Sequence, residues 1–254
     1  MRIKAIALNT LKEAIRDRVF YNLLIFATLV IIAAVLIGDL SIGANEKIIK
    51  DIGLAAILFF GMLTAIFVGI GLVSKEIERR TLYTLLAKPV HRYEFLLGKY
   101  LGLCLTLLVN TLVMTVFLFL VVKWQNGPLN TSTLIAILLI YCELILITAI
   151  ALLFSTLSGP TLSAVFTFAL YIIGHLTTDL KDIGGATKSQ FSRSIIDLCY
   201  YILPNFNNFN IRAEVVHGVH VSGSFILSVI LYCVLYVAIV LCLSIVSFQR
   251  KEFY

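Results

Sequence analysis

Charge is what this sequence has least of. Only 13% of its 254 residues are Asp, Glu, Lys or Arg, against about 25% in soluble proteins, while 60% are apolar. A water-soluble enzyme does not have this composition. Catalytic signatures are missing as well: His91 is followed by Arg-Tyr-Glu rather than completing an HExxH pair, no GxSxG elbow occurs, and no aspartate cluster suited to metal-assisted phosphoalcohol transfer adjoins an apolar run. A phosphate loop of the Walker type is absent, since Gly98-Lys99 runs into Tyr100 with no glycine at the required spacing before it. Cysteine is sparse. Cys104, Cys142, Cys233 and Cys242 sit in apolar runs and Cys199 stands alone in a loop, so no disulfide framework is available and buried free thiols are expected. Residues 1–18 lack the short charged region, brief apolar core and cleavage site of a secretory signal, so no cleaved leader is expected.

What the chain does have is six long apolar runs, at about 19–37, 52–74, 100–122, 133–157, 161–177 and 223–248. Crossing a hydrocarbon core of about 30 Å takes about 20 helical residues at about 1.5 Å each. Each run is a candidate span, the fifth being short. Glu143 is the one charged residue inside any of them. Buried helices of a soluble protein would not exclude charge this strictly, and membrane barrels need alternating segments of about ten residues instead. The sequence therefore predicts an all-α polytopic membrane protein of one domain, residues 1–254.

An even number of spans puts both termini on one side. The loop set 1–18, 75–99, 158–160 and 249–254 carries 13 of the 20 Lys and Arg residues, and the opposite set carries seven, four of them in the long 178–222 loop. By the positive-inside rule the termini and residues 75–99 are expected to be cytoplasmic, and 178–222 external. The net charge of +6 then reflects anchoring against anionic lipid, and no aromatic-interleaved basic patch suggests nucleic acid.

Two pieces on the basic side have periodic structure. In residues 3–18, Ile3, Ile6, Ala7, Leu11, Ala14 and Ile15 recur three or four apart while Lys4, Lys12, Glu13, Arg16 and Asp17 lie elsewhere, the pattern of a helix lying in the interface. In residues 75–102, Ile77, Leu82, Leu85 and Leu86 share a face that Pro89 should end, and a second helix starts near His91 and runs through Glu94, Leu97 and Lys99 into the third span. Periodicity alone fits equally a short surface helix shaped to receive a partner and an ordinary basic connection.

At these residues the sequence resembles a family. Lys75-Glu76-Ile77-Glu78 with Thr81-Leu82, then Leu86-Ala87-Lys88-Pro89-Val90-His91-Arg92 and Phe95-Leu96-Leu97-Gly98-Lys99, is similar to the cytoplasmic loop of type 2 ABC exporter permeases, which include the nitrous-oxide reductase maturation permeases. The resemblance is specific in residues 75–102 and extends to the rest by topology. It implies six spans, an amphipathic N-terminal helix, a coupling helix between spans two and three, and a long outer loop before the last span. It further implies a separate ATPase subunit, in two copies, that binds ATP and Mg and docks on the 75–99 loop. Glu76, Glu78, Arg79, Thr81, Arg92 and Lys99 become candidate coupling residues. A second copy of the permease and a bacterial-type inner membrane complete the expectation; no cofactor is expected in this chain, and the resemblance does not carry substrate.

On the outer side, Phe191, Ile195, Leu198, Cys199 and Ile202 recur at helical spacing until Pro204, and Asn205-Phe206-Asn207-Asn208-Phe209-Asn210 suits a turn or cap. The resemblance implies short re-entrant helices here, closing the outer end of the path; a simple tether is the alternative.

Glu143, ten residues into its run, would cost roughly 2.5 kcal/mol or more as an exposed intramembrane carboxylate. It either faces a substrate path as a cation, proton or polar-group site, or joins helices by pairing with a neighbour such as Asn110 or Tyr141; the second is the favoured reading. His175, near the outer end of the fifth run, reads as a hydrogen-bonding residue. His217 and His220 are three apart but without the four ligands of a structural zinc site, so no metal is expected. Gly61, Ala65 and Gly69, and again Gly98 and Gly102, sit four apart, an arrangement that lets membrane helices approach closely. The function expected is the permease subunit of an ATP-driven exporter, with an ATP-independent six-span carrier or membrane anchor subunit as the alternative.

Overall fold

The computed structural model describes residues 2–40, 45–78, 91–128, 130–186, 196, 200, 202–219 and 221–250, without the side chains of 73–78, 178–180 and 182–186. Among these residues there is no strand. The helices are α1 (Arg2–Ile15), α2 (Arg18–Asp39), α3 (Asn45–Glu78), α4 (Arg92–Trp124), α5 (Thr131–Leu157), α6 (Pro160–Ala186), α7 (Arg212–Val216) and α8 (Gly223–Arg250). Six of them, α2 to α6 and α8, are long and apolar enough to cross a membrane. The expected fold class is therefore what is found.

Helix ends follow local chemistry. Asp17 caps α2 by accepting from the Val19 N–H at 2.8 Å. At the start of α4 the Glu94 side chain accepts from the His91 N–H, the return half of a capping box. That start lies where proline chemistry predicted it. The far end of α4 closes in a Schellman motif: Asn126, at φ 54°, donates to the Lys123 carbonyl, and Gly127 donates to Val122. Pro160 opens α6, where its missing N–H costs nothing.

Several helices exceed the apolar runs that mark them. α3 begins at Asn45, well before the expected span start at 52, so Lys47 and Lys50 lie in a helix rather than a loop. The reason is a tertiary one: Lys50, 4% exposed, donates to the Pro128 carbonyl at 2.9 Å and pairs with Glu46 one turn back, tying α3 to the turn after α4. α6 likewise continues past 177 to Ala186.

The bundle is built around α3, α4 and α5, the most buried spans, with α2, α6 and α8 outside them. Ile57, Met62, Leu107, Met114 and Leu144 fill the centre, each fully buried. Close approach uses small residues. A Cβ at Gly61 would stand 2.5 Å from Leu144 Cδ1, and one at Gly53 would stand 2.3 Å from Leu118 Cδ1. Gly69 has looser contact, 3.6 Å to Leu103. The Gly61 face thus serves α3–α5 packing within the chain, with van der Waals contact as the driving force in lipid.

Gly98 and Gly102 face α1. Their Cβ positions would meet Ile6 Cβ at 2.7 Å and Thr10 Cβ at 2.5 Å, so only glycine lets α1 lie directly on the first turns of α4. Ala7, Thr10 and Ala14 are the buried stripe of α1. The amphipathic N-terminal helix of the sequence reading is present, and its apolar stripe is used for packing on α4.

Candidate functional site

Two polar clusters stand out, one at an end of the bundle and one near the middle of its spans. At the end that carries both termini, the start of α4 is a hub. The Arg92 guanidinium donates to the carbonyls of Phe248 at 3.3 Å and Gln249 at 3.0 Å, capping the last turn of α8. Phe95 stacks on Phe248 with ring centroids 6.1 Å apart. Glu94 lies 3.8 Å from Arg2, and the Lys99 ammonium lies 3.4 Å from Glu13, so both charges of α4 reach α1. Lys99 is 2% exposed. Two expected coupling residues, Arg92 and Lys99, thus hold α8 and α1 to α4 rather than projecting outward. Helix α3 continues through Glu76 and Glu78, whose side chains lie outside the description; Arg79, Thr81 and the expected coupling helix up to Val90 lie outside the described residues altogether.

Near the middle of α5, the buried carboxylate has a neighbour the sequence did not indicate. Glu143 on α5 is fully buried, and its Oε1 lies 3.4 Å from Nε2 of His175 on α6. Glu143 is 14 residues from Leu157 (157 − 143) and His175 is 15 from Pro160 (175 − 160), so at about 1.5 Å per residue both stand about 21–22 Å from the α5–α6 turn. They face each other at one height inside the bilayer thickness. The other ring nitrogen, Nδ1, is 3.2 Å from the Tyr171 carbonyl, which can only accept, so Nδ1 carries a proton. Neither Glu143 oxygen has a hydrogen-bond partner of good geometry among the described residues, so the contact with His175 is electrostatic.

Arg212, at the start of α7, adds a positive charge near this pair without an ion-pair contact to Glu143. Its Nε also donates to the Asn210 side chain at 3.0 Å, which fixes the direction of the arm. Asn110, named beside Glu143 in the sequence reading, is elsewhere: its Nδ2 donates to Thr64 Oγ1 at 3.4 Å, joining α4 to α3. Tyr141 is also turned away, donating to the Cys104 carbonyl at 3.1 Å. Those two were expected to partner Glu143 and do not, because an α-helical side chain meets what lies across its own seam, and here that is α6.

The segment around Arg212 is held down into the bundle. Pro204 is followed by a single 3-10 turn, Phe206–Phe209, whose N-cap Asn205 accepts from the Asn207 N–H at 3.1 Å. The Asn-rich stretch is the turn that its side chains predict. Phe206 and Phe209 are fully buried, and Phe206 stacks on His175 at 5.6 Å. This needs Gly174, where a Cβ would fall 2.4 Å from the Phe206 ring and 2.6 Å from the Pro204 carbonyl. From α8, Tyr232 accepts the Asn205 N–H at 3.0 Å and Tyr236 donates to the Ile202 carbonyl at 2.8 Å. Of the helix expected over 191–202, only 196, 200 and 202 are described. Sequence reasoning missed Arg212, Tyr171 and Gly174; an arginine two residues after an Asn-rich turn carries no local sign that it stands near a buried acid.

No group of three or more His, Cys, Asp or Glu that could hold a metal ion occurs among the described residues. The whole is a polytopic helical protein with a packed centre and an inward-folded segment at one end. The chain belongs to the ABC-2 family of transporter proteins, which matches residues 4–253. It is therefore an ABC-type permease, a transmembrane component of membrane transport. The comparison with curated proteins finds no match.

Proposed function

We propose that this chain is the membrane-spanning subunit of an ATP-driven exporter, working as two copies with two separate ATPase subunits. The observation that carries it is the family match over residues 4–253 in a sequence with no phosphate loop of its own. ATP hydrolysis then belongs to another polypeptide, which binds ATP and Mg. The basic side, with both termini and the 75–99 loop, faces the cytoplasm of a bacterial-type inner membrane, in keeping with the bias of positive charge. The ATPase docks there, against Glu76, Glu78, Arg79 and Thr81. Arg92 and Lys99 pass the push to α8 and α1, since their side chains already bind those helices.

The filled α3–α4–α5 centre supports a path between two copies rather than through one, which a symmetric pair supplies. The export direction follows from the resemblance to type 2 exporters. Segment 204–216 closes the outer end, with Arg212, Glu143 and His175 as its charge latch. Detergent extraction and affinity purification test the reading: a nucleotide-hydrolysing subunit is expected to co-purify. A transport-competent preparation without one would return the ATP-independent carrier.

A further inference from the structure

α1 presents an unusual ridge to its surroundings. Lys4, Leu8 and Lys12 follow one another at four-residue steps, so they line up along one side of the helix, and Arg16 stands in the turn just after it; all four are exposed. The other charges nearby are used internally: Arg2 faces Glu94, Glu13 faces Lys99 and Asp17 caps α2. Beside this ridge, between α1, α4 and α5, lies a groove of about 560 Å³. Lys4 and Leu8 form its rim, and Tyr100, Leu101, Leu105 and Ile145 are among its walls. Its two tyrosines commit their hydroxyls to backbone carbonyls, Tyr141 to Cys104 at 3.1 Å and Tyr100 to Ile145 at 3.5 Å. The rest of the lining is apolar, with Lys4 its one charged residue.

We propose that this groove is a binding site for an anionic phospholipid, its phosphate on Lys4 and an acyl chain along Leu101, Leu105 and Ile145. The volume lies within the range of small-ligand sites, and an apolar slot with one orienting charge is their usual chemistry. A cation at a membrane surface favours anionic headgroups over zwitterionic ones, and Lys4 is the cation that lines the groove, Lys12 and Arg16 lying outside it. The lipid would mortar α1 to α4 and α5 at the end where, on the reading above, the ATPase docks. The site itself does not depend on that orientation.

The sequence has a single tryptophan, Trp124, on α4, so a fluorescent reporter can be moved. In a Trp124→Phe background, Leu8→Trp places the fluorophore at the groove rim. The purified full-length chain is reconstituted in phosphatidylcholine vesicles containing equal fractions of brominated phosphatidylglycerol or brominated phosphatidylcholine. The brominated anionic lipid is expected to bind at this site about five-fold more strongly, read from quenching. Lys4→Gln should remove most of that preference, Lys4→Arg should keep it, and Lys12→Gln should change it little. Equal quenching by the two lipids overturns the proposal, as does no quenching by either, which would mean that protein covers the groove. Equal losses in Lys4→Gln and Lys12→Gln also overturn it, since they would show diffuse surface attraction only.

Discussion

His175 Nε2 and Glu143 Oε1 lie 3.4 Å apart on two helices that are consecutive in the chain, both about the same distance above the turn that joins them. Nδ1 of the same ring is committed to the Tyr171 carbonyl, which anchors the imidazole on its own helix while Nε2 faces the carboxyl group. Arg212 then supplies positive charge from a segment that is otherwise held by aromatic packing and by Tyr232 and Tyr236. A buried acid so placed joins three parts of the chain.

Glu143→Gln keeps the side chain's shape and supplies an amide that can hydrogen-bond to His175, so assembly and transport should both persist. The test is ATP-dependent transport by a purified, assembled complex. An assembled Glu143→Gln complex with no transport would establish that the ionisable proton or the charge is itself the function. Loss of assembly would show instead that an ionised group holds the helices.

If Arg212 pairs electrostatically with Glu143, the two substitutions should not add. Arg212→Gln and Glu143→Gln, alone and combined, are expected to show a coupling of about 0.5–3 kcal/mol in thermal or denaturant unfolding of the detergent-solubilised protein. Strict additivity would refute a latch made of these two residues.

Gly174 controls how closely segment 204–206 can approach α6. Gly174→Ala puts a methyl group 2.4 Å from the Phe206 ring and 2.6 Å from a backbone carbonyl, an overpacking expected to destabilise by about 1–3 kcal/mol. The same change at Gly71, where a Cβ meets nothing within 4 Å, should be neutral or slightly stabilising. Equal melting temperatures for the two variants would contradict the tight contact.

Reversal of Glu76 and Glu78 to Lys should weaken association of the ATPase, or uncouple its turnover, while membrane insertion is retained, because charges at a rim of contact act on the partner and not on lipid. Co-purification and ATPase assays on the double variant are the measurement. Unchanged binding and turnover would remove these residues from the docking surface.

A reporter fused after Tyr254 should read cytoplasmic, and a cysteine placed at Lys188 should react with an impermeant label from outside. Protection of that cysteine in intact cells would invert or break the map.

The six spans, the N-terminal helix, the start of α4 after His91 and the Asn-rich turn were legible in the sequence, and each depends on information within a few residues. Charge exclusion, helical periodicity, a proline and an Asx cap all act locally, and lipid removes the option of leaving backbone groups unpaired outside a helix. What each helix faces was decided by the tertiary structure. Gly98 and Gly102 announce a close approach but not that the guest is Ile6 and Thr10 of α1. Arg92 and Lys99 stand in the sequence as candidate coupling residues by resemblance; that their side chains tie α8 and α1 to α4 follows only from how those helices pack. Glu143 announces an expensive buried acid, yet its partners come from α6 and from a segment folded back after Pro204. Sequence sets the cost of placing a charge in the membrane; only the packing of distant segments determines which group offsets it.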